Sequence, residues 1–268
     1  MARTTTPRFT ARTFLVHGLI AGLLAGFTAF LVAHQLGEPQ VDAAIAVEES
    51  ASHSHAGTHD HTQPAEHHHE NGTVVSRENQ STWGLATGTF AIGTTLGGLL
   101  ALVVAGAVGR IGRLRPSQTA GLLALIGFVS VALVPFWKYP ANPPAVGQPD
   151  TIGDRTADFF TFLAISVLAA VIATAVATRL LPRLGAYRTV LACAGGYLLV
   201  VVVAGALMPT VNETGDFPAQ TLWLFRRASL ATQATLWATI GIVLVGLVGR
   251  THRRLAEETA RRELVASL

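Results

Sequence analysis

Residues 14 to 36 read FLVHGLIAGLLAGFTAFLVAHQL, and the run contains no Asp, Glu, Lys or Arg. About 20 predominantly apolar residues cross a bilayer as a helix, because hydrocarbon offers no partner to an open backbone N–H or C=O. Phe14 to Leu36 therefore predicts a transmembrane helix by necessity rather than by propensity. Five further uncharged runs meet the same requirement, at approximately Gly84 to Val108, Thr119 to Trp137, Phe159 to Ala177, Val190 to Met208 and Ala228 to Val248. Small residues recur every fourth position in the first (Gly18, Gly22, Gly26 and Ala21, Ala25, Ala29, Ala33), and the second carries Gly84, Gly88, Gly93 and Gly97. Such faces let helix backbones approach closely, and packing holds helices together where lipid is as apolar as leucine. The expectation is an all-α polytopic integral membrane protein forming one domain over 1–268, with about six spans. The first run also resembles a signal peptide, but it is long for an h-region and reads better as a signal anchor. Its removal would leave five spans.

Composition agrees with this reading. Of 268 residues, 50% are hydrophobic and 13% charged, against roughly 25% charged in soluble domains. An ordinary soluble enzyme is thereby excluded. The basic residues are dispersed between apolar blocks instead of clustering on one face, so a pI near 9.6 does not indicate nucleic acid. With Cys193 alone, no disulfide forms within the chain, and with Lys138 the single lysine, no GxxxxGK[ST] phosphate loop exists. Neither a nucleophile–base pair nor an HExxH motif suggests an intramembrane enzyme.

The charges also set a topology. With both termini cytoplasmic, 14 of the 19 basic residues fall inside, as the positive-inside rule requires. The exceptions are Arg77, Lys138, Arg155, Arg226 and Arg227, while 13 of the 16 acidic residues fall outside. A net charge of +3 thus divides into about +11 inside and −8 outside. The cytoplasmic share includes an Arg-rich tail over 249–268.

One hydrophilic segment, residues 37–83, is longer than a connector, and on this topology it lies outside. Its 53–70 tract contains His53, His55, His59, His61, His67, His68 and His69, interleaved with Asp60, Glu66 and Glu70. With no apolar periodicity it is expected to be disordered without a ligand. Neutral imidazoles suit Zn, Ni, Co or Cu(II), and the pattern does not choose among them because affinity follows the same series at any such site. His34, below the tract near the outer end of the first span, is a further candidate ligand, weighed against an ordinary interfacial histidine. Glu38 and Asp42, at i and i+4, stand on a segment (Gly37 to Glu49) expected to lie as a helix along the outer leaflet. They either relay a cation or form a solvated face. Arg226 and Arg227 either find a compensating contact, with Glu213 or Asp216 the nearest candidates in sequence, or snorkel to the interface. Gln233, near Thr232 and Thr235, is expected to hydrogen-bond between helices.

The third loop, KYPANPPAVG over 138–147, cannot be helical, because each proline restricts its predecessor and lacks an N–H. Trp137 and Tyr139 suit an interfacial aromatic belt. Taken with GEPxVDxAIAxEE from Gly37, PxVNE from Pro209, DFP from Asp216 and LWxFRxAS from Leu222, this loop resembles the CbtA family, cobalt transporter subunits of bacteria associated with cobalamin-regulated genes. The likeness runs from the first span through the last and is carried in the outer loops by Lys138, Tyr139, Pro140, Asn142, Pro143, Pro144, Asn212, Glu213, Asp216 and Arg226. It implies uptake of divalent cobalt, in preference to nickel or zinc, across the bacterial cytoplasmic membrane. It implies no resident cofactor, and the partners it implies are the lipid bilayer, a small single-span CbtB-like subunit or a second copy of the chain. That family is usually described with five spans. The alternatives are a nickel or zinc permease, and a membrane protein that buffers or senses metal without transporting it.

Overall fold

The computed structural model describes residues 10–55 and 75–267, with the side chains of residues 51–55 undescribed. Among the described residues, every regular element is helical. Five helices are long and apolar enough to cross a membrane: α1 Ala11–Ser50, α2 Arg77–Ala107, α3 Pro116–Lys138, α4 Pro149–Leu207 and α5 Ala219–Ala266. At 1.5 Å per residue, the 59 residues of α4 would extend about 88 Å, nearly three times the hydrocarbon thickness. The chain resolves this at Gly185, whose φ of 73° and ψ of 170° leave helical geometry. The two arms turn back on each other: Ser166 Oγ and Tyr197 Oη are 2.9 Å apart, and Phe162 packs opposite Gly205. Five helices thus supply six apolar segments. The loop expected between the fourth and fifth segments is this single break, since Arg179, Pro182 and Arg183 remain helical.

Close packing begins with glycine. α1 and α2 run antiparallel, Gly18 facing Gly97, Gly22 facing Gly93 and Gly26 facing Thr89 and Phe90. A Cβ added at Gly97 would lie 2.7 Å from Gly22 Cα, so the two backbones touch directly. α5 packs across this pair, joined to α1 by the Thr28 and Thr239 hydroxyls at 3.0 Å. α3 runs antiparallel to α5, with Gly127 under the Trp237 ring and Gly241 against Ala124. Val104, Ile240, Leu244 and Val248 are fully buried where these helices meet.

Three helices contain a π-helical stretch: α1 at Ala33–Gly37, α2 at Gln80–Gly84 and α3 at Phe128–Leu133. The last has a visible cause. In the π register Val134 N–H bonds to Val129 O, so the next bond falls to Pro135, which has no N–H. Ser130 O would be orphaned inside the bundle. The buried Ser166 hydroxyl donates to it at 2.8 Å, tying α4 to α3.

Among the described residues, α1 starts and α5 leaves the packed helices at one end of the bundle, here called the arginine end. Gly249 lies against Ser117, and Gly112, in the connection bearing Arg110, Arg113 and Arg115, lies against Leu181. Trp83, Trp137 and Trp223 mark the opposite end, exposed by 76%, 87% and 63%, as an interfacial belt requires. Trp237 is in the core instead. One expectation is corrected here. The segment from Gly37 to Glu49 is not a separate helix along the leaflet: α1 continues through its π-turn, and helical hydrogen bonding reaches His55. The Arg-rich tail prolongs α5 without a break to Ala266.

Candidate binding cavity

At the tryptophan end the helices part around a cavity of about 830 Å³. The first part of its wall comes from α1, through Ala33, Gly37, Glu38 and Val41. α3 and the loop after it add Phe136 and the run Lys138 to Asn142, α4 adds Ile152, Arg155, Phe159 and Phe160, and α5 adds Phe225, Arg226, Ser229, Thr232 and Gln233. The loop between α4 and α5 closes it with Val211, Glu213 and Thr214.

The proline-rich loop is held by its first two residues. Lys138 Nζ donates to Met208 O at 3.2 Å and Tyr139 Oη to Pro209 O at 2.9 Å, while the Tyr139 ring meets Phe162 edge-on. Because prolines deprive this loop of N–H donors, side chains from elsewhere secure it. Arg226 reaches over from α5, Nη2 donating to Asn142 Oδ1 at 2.8 Å and Nε to Ala141 O at 3.4 Å. The partner expected for Arg226 was Glu213 or Asp216. The structure gives it neutral oxygens of the third loop, because Glu213 is engaged on the other side of the cavity.

Glu213 accepts from Gln148 N–H at 3.0 Å and Thr151 Oγ1 at 2.9 Å, with Arg155 Nε 3.5 Å away. These hydrogen bonds, and after them the Arg155 charge, hold its carboxyl below the ordinary carboxylate value. A depressed pKa means that the contribution of this carboxylate to the folded state is present at neutral pH and is lost only as pH falls through the lowered value. Arg155 Nη2 also donates to Gln148 O at 3.1 Å, with Gly147 against its guanidinium. Gly147 has φ of 104°, and a Cβ there would sit 2.6 Å from Arg155 Cζ. Gly147→Ala is expected to cost about 1–3 kcal/mol through backbone strain alone, read as a lowered unfolding midpoint in detergent.

Glu38 and Asp42 are paired as well. Arg77 donates to the Glu38 carboxylate, and its Nε reaches Asp42 Oδ1 at 3.0 Å. Glu38 lines the cavity and Asp42 does not. His34 Nδ1 lies 3.1 Å from Ser81 O, and its ring stacks on Phe30. With that nitrogen donating to the carbonyl, Nε2 keeps its lone pair. Among the described residues no group of three or more His, Cys, Asp or Glu is placed to hold a metal ion. His53 and His55 fall on the helical end of α1, where side chains are undescribed, and His59, His61, His67, His68 and His69 lie outside the described residues.

Six residues of the loop motifs, Lys138, Tyr139, Pro140, Asn142, Glu213 and Arg226, therefore converge on one cavity. Pro143 is buried beside it, whereas Pro144, Asn212 and Asp216 are exposed away from it. Gln233 lines the cavity, while the bond joining α1 to α5 is made by Thr28 and Thr239. Sequence reasoning missed Arg155 with its partners Gln148 and Thr151, and the clamp of Arg77. A signal was available: of the five basic residues that break the charge pattern, Lys138, Arg155 and Arg226 line the cavity and Arg77 binds its Glu38.

The fold and cavity define a multi-pass helical membrane protein with a chamber at one end of its bundle, walled mostly by apolar side chains around a few charged ones. No curated protein and no solved structure matches the chain significantly. A family model described as probable cobalt transporter subunit (CbtA) matches residues 11–249, and the chain belongs to that family.

Proposed function

We propose that the protein is the membrane subunit through which divalent cobalt enters a bacterial cell across the cytoplasmic membrane, with the cavity as its outer entrance. The observation that carries this reading is the convergence of family-motif residues from four separate chain regions on a single chamber. Facing the tryptophan end outward puts both termini and 14 of 19 basic residues in the cytoplasm. On that orientation the 53–70 histidine tract belongs to the outer side, as the cavity does, and serves there to concentrate metal. Metal passing Glu38 displaces Arg77, and His34 Nε2 is available nearby as a donor. The word subunit in the family description points to a partner, for which a single-span CbtB-like protein or a second copy are the candidates.

Radiolabelled cobalt uptake in cells lacking endogenous importers tests the reading. Cobalt is expected to accumulate inside ahead of nickel and zinc, whereas a buffering protein would only bind it at the surface. Deleting residues 53–69 is expected to lower uptake at scarce cobalt and leave it nearly unchanged at abundant cobalt. The histidine contribution should fade as pH drops through about 6.5, since imidazole binds metal only when deprotonated. Uptake by the deletion variant should vary less with pH over that interval than uptake by the parent, because the seven imidazoles of the tract are gone and Glu213 keeps its charge there.

A further inference from the structure

A divalent cation entering the cavity meets positive charge. Lys138, Arg155 and Arg226 line it against Glu38 and Glu213, and both carboxylates are already engaged. Arg77 holds Glu38, and Glu213 is taken up by Gln148, Thr151 and Arg155. Lys138 and Arg226, by contrast, bond to neutral oxygens: the Met208 carbonyl for the first, the Ala141 carbonyl and Asn142 amide for the second. An ammonium has three donors and a guanidinium five, so both keep capacity for a ligand, and the guanidinium fork matches a carboxylate in two-point geometry.

Size points the same way. Six waters around an ion fill about 180 Å³ at about 30 Å³ each, whereas the cavity is about 830 Å³. That volume suits an organic ligand, and Phe136, Phe159, Phe160 and Phe225 supply apolar wall for a carbon skeleton. The described residues, moreover, present no cluster able to strip and ligate a bare ion.

We propose that the cavity takes its metal as a chelate with a small polycarboxylate, whose carboxylates seat on Lys138 and Arg226. The chelator supplies the oxygen ligands that the wall lacks, and its negative charge offsets the metal. This proposal rests on the cobalt-uptake reading for the identity of the metal. Binding and uptake are therefore scored separately.

The test uses the full-length chain and a variant lacking residues 53–69, each in nanodiscs of phosphatidylcholine. Each is titrated calorimetrically with 1:1 cobalt(II)–citrate, with cobalt(II) chloride and with citrate alone. In the deletion variant, cobalt–citrate is expected to bind at least about tenfold more tightly than either component. Lys138→Gln and Arg226→Gln should each weaken that binding about tenfold, and Arg226→Lys should restore part of it. Equal affinity for cobalt chloride or for citrate alone would overturn the proposal. So would unchanged chelate binding in both glutamine variants, once unfolding midpoints show them folded. Cellular accumulation from cobalt chloride by a chain that binds no chelate sinks the proposal and leaves uptake standing. Chelate binding without accumulation of either form supports the site and removes the transport reading.

Discussion

Gly22→Ile is expected to abolish recovery of folded protein. A Cβ at Gly22 would lie 2.7 Å from Thr94 Cα and 2.9 Å from the Gly93 carbonyl carbon, and neither is the end of a flexible side chain. Relief requires α1 and α2 to separate. The contact is reciprocal along its length, because a Cβ at Gly93 would be 2.9 Å from Gly26 Cα and one at Gly97 2.7 Å from Gly22 Cα. Overpacking of a core costs about 1–3 kcal/mol when side chains can shift. Here backbone meets backbone, so about 3 kcal/mol or more is expected, and the remaining carbons of isoleucine add to it. In a bilayer no hydrophobic force between helices compensates, since separated helices find lipid instead. Size-exclusion recovery of a fluorescent fusion measures the loss. Gly88→Ile is the control: it belongs to the same small-residue pattern, but its Cβ would meet nothing within 4 Å, and its recovery should match the parent. Equal recovery of both variants would refute the packing account.

Glu213→Ala is expected to cut cobalt uptake at least about tenfold, with folded protein still recovered. The carboxylate joins Gln148 N–H, Thr151 hydroxyl and Arg155 at one point of the cavity rim. Its loss frees the start of α4 and leaves the Arg155 guanidinium, 23% exposed, without its carboxylate. The helix packing that holds the bundle lies elsewhere, around α1, α2, α3 and α5, so stability and uptake should separate. Glu213→Gln sharpens the result. Its amide oxygen can still accept from Gln148 and Thr151, while the charge facing Arg155 is gone. Intermediate uptake would assign part of the effect to the hydrogen bonds and part to the ion pair. Undiminished uptake in Glu213→Ala would mean that the rim does not shape the entrance.

The helices were readable because the bilayer makes a local demand. An uncharged run of about 20 residues must satisfy its own backbone wherever it goes, and no distant residue is needed to know this. The same holds for the proline-rich loop, whose missing donors bar a helix whatever surrounds it. Residues near a break were harder. The continuation of α1 past Gly37 was invisible as such, since Glu38-Pro39 begins a polar stretch that reads like a new element. Proline is tolerated there because Glu38 N–H bonds to Ala33 O in the π register, so the next bond falls on the residue that has no N–H to give. The Gly185 reversal was equally hidden, with helical geometry on both sides of one residue where a loop was expected.

The candidate site divides in the same way. Lys138, Tyr139, Asn142, Glu213 and Arg226 were found as a loop motif, but the motif did not say who binds whom. Arg226 reaches Asn142, 84 positions away, and Glu213 reaches Thr151, 62 positions away. Such pairs depend on how α3, α4 and α5 are brought together, and proximity in sequence misdirects, as Arg226 and Glu213 illustrate.

By itself the sequence determined that this chain lives in a membrane, where its apolar segments run, that its charge is unequally divided between the two sides and which loops carry its family motifs. The first two follow from hydrophobicity and backbone hydrogen bonding summed over neighbouring residues, the third from where the charges fall between those segments, and the last from the resemblance of the loops to the family. Tertiary structure alone decided which glycines touch, Gly93 and Gly97 but not Gly88, and that the carboxylates at the cavity already have partners. The reason is geometric. A solvent preference is a property of a segment, whereas contact and charge pairing are properties of two segments, and only the packed bundle brings them within reach.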